Sequence, residues 1–195
     1  MQPILDSPYY ARCTWFILAV LVAASGYLLV GGRWLGVAVL GGTVLLSVAF
    51  IRLDDRLPRL FNLLFVLAGA LNAAAYVFDL WTRIGIYDEF VHAYTTFATA
   101  AAFGYLLFGR TRIDKPRPLW RLIAAVTAFG FAIGLLWEGF EWLIGIIGGP
   151  VDTLVDLAMD TLGAVAAGLF CAWTADRRRG KRADMRLAGA AGPPA

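Results

Sequence analysis

Residues 87–97 read YDEFVHAYTTF and bring Asp88, Glu89 and the only histidine of the chain, His92, close together. Asp88 and His92 are four apart, so on a helix they share a face. WEGFEW at 137–142 sets Glu138 and Glu141 three apart, again on one face. VDTLVDLAMDTLGA at 151–164 lines up Asp152, Asp156 and Asp160 in four-residue steps. One imidazole among carboxylates is a hard, oxygen-rich donor set. It suits a divalent metal ion such as Mg, Mn, Fe or Zn, and such an ion can activate water. The chain has no HExxH or comparable metal signature.

The segments that carry these residues are built for lipid. The chain has 195 residues and is 60% hydrophobic, with a mean hydropathy of +0.70, far from the balance of a soluble domain. Its charges fall in blocks between apolar runs long enough to span a bilayer. Six runs stand out, at 14–31, 34–51, 60–80, 89–108, 121–147 and 152–173. The predicted fold is an all-α integral membrane protein, a bundle of six transmembrane helices over residues 1–176. A basic tail, 177–195, ends in small residues and proline and is expected to be disordered.

Of the 17 Lys and Arg, all but Arg33 and Arg83 fall on one side of a six-span topology. The positive-inside rule makes that side, with both termini, cytoplasmic. Trp15, Trp120 and Trp173 then mark the inner interface, and Trp34, Trp81 and Trp142 the outer. The net charge of +3 comes from residues beside helix ends, where topology and anionic lipid headgroups explain it; nucleic acid is not needed as a partner. Cys13 and Cys171 lie at cytoplasmic ends and read as packing residues rather than a disulfide.

The last three runs are rich in small residues. Gly130 and Gly134 have GxxxG spacing, and Gly163, Ala164, Ala167 and Gly168 follow the aspartates. Small residues at such spacing let helix backbones approach in lipid, so these runs are expected to form one tight bundle. Depths agree, at a rise of about 1.5 Å per residue. His92 and Asp156 lie roughly 7 Å inside their helix ends, Glu141 about 9 Å, and Glu138 and Asp160 about 13 Å. Asp88, His92, Glu138, Glu141, Asp156 and Asp160 are therefore the candidates for one polar site below the outer face. All but Asp88 are candidate metal ligands. Asp79 and Glu89 are expected to be solvated, and Asp152, after GGP, to cap its helix. Asp88 could likewise cap its own helix, and His92 could be a hydrogen-bonded core histidine. An ionised Asp at a helix centre costs about 3 kcal/mol, and two outer arginines cannot neutralise so many acids. Cations or shared protons must.

As a set, YDEFVHAYTTF, WEGFEW and DTLVDLAMDTLGAVAAG resemble the YjdF-like family of bacterial inner-membrane proteins, with a looser likeness to VanZ-like membrane proteins. The resemblance implies a multi-span fold in the inner membrane and no particular reaction. Three functions compete on the sequence: a metal site acting on a lipid-linked or envelope substrate, a proton- or cation-coupled transporter, and a non-catalytic scaffold. No internal repeat supports the transporter.

Overall fold

The computed structural model describes residues 4–53, 56–109, 118–146 and 148–190, and the side chains of all of these except 109 and 178–190. It is helical, with α1 Pro8–Val30, α2 Trp34–Arg52, α3 Arg59–Phe78, the short α4 Leu80–Arg83, α5 Tyr87–Gly104, α6 Leu119–Ile144 and α7 Pro150–Ala190. Each of the six apolar runs is a helix, with ends shifted by a few residues. The order of elements differs by one: Asp79 adopts the left-handed conformation, φ 57°, and closes α3, so that α4 forms a separate turn before α5.

Local sequence explains the boundaries. Pro8 opens α1 behind Ser7, whose hydroxyl accepts the Tyr9 N–H. Gly145 ends α6 at φ 73°, donating its N–H to the Glu141 carbonyl, a glycine C-cap. Pro150 starts α7 three residues after the undescribed position 147. The backbone of 177–190, set apart in sequence as a disordered tail, continues α7 as helix. Arg, Lys, Ala, Met and Leu there are good helix formers. Residues 191–195 lie outside the described residues, as do the basic positions 110–117 of the loop before α6.

Among the described residues, five helices are long and apolar enough to cross a membrane: α1, α2, α3, α6 and residues 150–177 of α7. The sixth run, now α5, does not meet that composition. Its place in the bundle explains why. It packs against α3, α6 and α7, and eight of its residues, from Val91 to Gly104, are buried. A helix shielded by its neighbours can carry polar side chains that a lipid-facing one cannot. Helices α1, α2 and α3 form a second group that meets α5 through α3. Buried amides tie the parts together. Ser47 donates its hydroxyl to the Asn62 Oδ1 at 2.7 Å, joining α2 to α3, and Asn72 donates to Thr95 at 3.3 Å, joining α3 to α5. A double-mutant cycle on Ser47→Ala and Asn62→Ala, read by unfolding in detergent, is expected to return a coupling of about 0.6 kcal/mol, the average for interhelical hydrogen bonds in lipid.

Helices α5, α6 and α7 meet through small residues. Gly130 sits against Ala100 and Ala164, Gly168 against the Ile123 carbonyl, and Gly163 against the Ala93 carbonyl and the Phe97 amide nitrogen. This is the close approach that the small-residue stripes predict. Where α5 ends in a π-helical turn, Tyr105–Gly109, the interior is apolar. Phe61, Phe65, Tyr105, Leu122 and Ala167 belong to one buried cluster there. Asp88, Glu138, Glu141, Asp156 and Asp160 gather at the opposite end of the bundle, where α5 begins, α6 ends and α7 begins.

Candidate acidic and histidine site

Three helix termini build the site. His92 lies one turn into α5, Glu138 and Glu141 in the last two turns of α6, and Asp156 and Asp160 in the second and third turns of α7. Gly134, one turn before Glu138, makes room for the Asp160 carboxylate. A Cβ at position 134 would run into Asp160 Cγ and Oδ2. The small-residue stripe therefore does two things: it lets the helices meet, and it leaves space for a carboxylate between them.

His92 is the hub. Its Nδ1 lies 3.5 Å from both Asp160 oxygens and 3.9 Å from Glu138 Oε1, and its Nε2 lies 3.7 Å from Asp88 Oδ1. Asp160 is held from a second direction by Thr96, whose hydroxyl donates to Oδ1 at 2.5 Å. Burial is deep for His92, Glu138, Asp156 and Asp160, at 8%, 3%, 3% and 2% exposure. The Asp88 side chain keeps 41%. Among the described residues, no Lys or Arg is in ion-pair contact with these carboxylates.

Among the described residues, two groups of three have donor atoms within 4.8 Å of one another: Asp88, His92 and Asp156; and His92, Glu138 and Glu141. Small side-chain shifts bring such a span to the roughly 4 Å across a metal coordination sphere. All six candidates read from the sequence are thus at one place. The Glu138 carboxylate has an unusual position. Both its oxygens are buried, and neither accepts a hydrogen bond within 3.5 Å among the described residues; the Thr153 hydroxyl of α7 is a looser partner. Buried polar groups are nearly always paired, so an orphaned carboxylate calls for an explanation.

The neighbouring acids divide. Asp152 is not the N-cap expected of it but lies in the first turn of α7, where it accepts the Gly148 N–H at 2.9 Å and fastens the start of the helix. Asp79 is exposed and takes the Thr82 hydroxyl. Glu89 is half-buried with one oxygen enclosed and unpaired, less solvated than expected. Asp88 makes no capping hydrogen bond and faces His92 instead. Thr96 was legible only as a small residue; its position four after His92 is the signal that puts it on the same face. The thiols are free, and Cys171 packs buried against the Ala101 carbonyl.

The fold and site define a polytopic helical membrane protein with a buried polar centre. The family described as "Predicted membrane protein (DUF2238)" matches residues 10–177. The chain belongs to this family, the YjdF-like one, and the match does not extend the looser likeness to VanZ-like proteins. No curated protein and no solved structure matches the chain.

Proposed function

We propose that this is a six-span protein of the bacterial inner membrane, with both termini cytoplasmic, that holds a divalent cation in the outer half of the bilayer. The distribution of Lys and Arg supports the orientation, and exposed tryptophans near both ends, such as Trp34 and Trp142 opposite Trp15 and Trp120, support the membrane-spanning placement. One observation carries the cation: the orphaned, buried carboxylate of Glu138 beside His92. Glu138, unlike Asp160, makes no interhelical hydrogen bond within 3.5 Å among the described residues, which favours a cation over a scaffold role for it. The apolar cluster around Tyr105 and Leu122 beyond the site argues for a dead-end pocket over a conduction path.

A cation there would polarise an oxygen or activate water for a substrate arriving from the outer leaflet, such as a lipid-linked or envelope group. The half-exposed Asp88 marks the side of approach. Thermal unfolding of detergent-purified protein, stripped with EDTA and then given Mn²⁺, tests the reading. Mn²⁺ is expected to raise the midpoint, because a ligand of the folded state stabilises it. No shift with Mn²⁺, Zn²⁺ or Mg²⁺ would refute the proposal. Thr96→Val removes the hydroxyl that fixes Asp160. It is expected to weaken Mn²⁺ affinity about 10–100-fold, as loss of outer-shell partners does, with the cation-dependent shift moved to higher Mn²⁺.

A further inference from the structure

Resting on the cation site just proposed, we infer that it has two positions, one on each side of the His92 ring, and takes two divalent cations per chain. The two nitrogens face different partners. Nε2 is 3.7 Å from Asp88, and Nδ1 is 3.9 Å from Glu138. Asp88 and Glu138 belong to different groups of three, Asp88 and Asp156 with His92, and Glu138 and Glu141 with His92.

Each group also contains its own unpaired, deeply buried carboxylate. Glu138 is the first. Asp156 is the second: the residue is 3% exposed and makes no hydrogen bond among the described residues, although its oxygens, unlike those of Glu138, are not fully enclosed. One cation can lie against only one of the two groups, which leaves the other carboxylate orphaned. Charge points the same way. With Asp160, five carboxylates surround one imidazole, so a single divalent cation leaves the centre strongly negative. A second cation, with the ring's N–H proton displaced, lowers that negative charge by one further unit, which a site inside a bilayer favours. Taking up both nitrogens displaces the ring's N–H proton, which leaves to solvent past the half-exposed Asp88. The positions differ in access: the Asp88 position opens toward solvent, whereas the Glu138 carboxylate is 4% exposed.

The test uses the full chain in detergent, stripped with EDTA, dialysed against Mn²⁺ and measured for bound Mn²⁺ per chain. Two per chain are expected in the wild type, one in Asp156→Asn, one in Glu141→Gln and none in the double variant. Electron paramagnetic resonance should show spin-coupled Mn²⁺ only in the wild type. Saturation of the wild type at one Mn²⁺ overturns the two positions and leaves the single-cation reading standing. No bound Mn²⁺ overturns both. Two Mn²⁺ in the wild type, both lost in either single variant, overturns the separation into two positions. Should a variant fail to fold, the wild-type stoichiometry decides.

Discussion

Gly163→Ala is expected to destabilise the protein by about 3 kcal/mol, the upper end for overpacking a tight contact. The new Cβ would meet the Ala93 carbonyl and the Phe97 amide nitrogen, both backbone atoms of α5. A side chain could rotate away; a helix backbone cannot. Helices α5 and α7 must therefore separate. Gly139→Ala is the matched control, because a Cβ there meets nothing within 4 Å. It should be neutral or stabilising by about 0.5–1 kcal/mol, as for a helical Gly replaced by Ala. Because α5 carries His92 and α7 carries Asp160, the Gly163 variant should also lose Mn²⁺ binding while Gly139→Ala retains it. Unfolding midpoints in detergent read the first effect and bound Mn²⁺ the second. Equal stability of the two variants would mean that the helices do not meet at Gly163.

Glu138→Gln is expected to act in opposite directions with and without cation. In the stripped protein, Glu138 is a buried carboxylate with no hydrogen bond within 3.5 Å among the described residues. Such a group costs about 1–3 kcal/mol, more when charged. The isosteric amide removes the charge and is expected to raise the midpoint of the stripped protein. With Mn²⁺ at a thousand times its dissociation constant, the wild type gains about 4 kcal/mol, and the variant should lose the share from the Glu138 position. The curves of wild type and variant therefore cross as Mn²⁺ is added. A purely structural Glu138 would give no crossing: the substitution would lower stability at every Mn²⁺ concentration, or change nothing.

Much of this arrangement was legible in the chain. The four-residue steps of Asp152, Asp156 and Asp160, and the Glu138–Glu141 pair after Gly130 and Gly134, fix which helix faces are acidic and which are small. Helix rise then fixes depth, and depth alone predicts that the acids share one level. Other features depend on the rotation of each helix about its axis, which periodicity does not set. These include the split of the acids between the two nitrogens of His92, the Thr96–Asp160 hydrogen bond and the orphaning of Glu138. The central position of α5 was also hidden. Its polar first turn looks like the mouth of a span, yet it can be polar only because α3, α6 and α7 enclose it. The left-handed Asp79 that creates α4 had no sequence signal beyond a polar residue at a helix end.

The most direct test of the cation site is elemental analysis of the protein purified in detergent without added metal, wild type beside Glu138→Gln. The site described above predicts a stoichiometric divalent metal in the wild type, reduced by at least one equivalent per chain in the variant. A wild type that carries no metal and takes none up from Mn²⁺ or Zn²⁺, or a Glu138→Gln variant with an unchanged metal content, would contradict it.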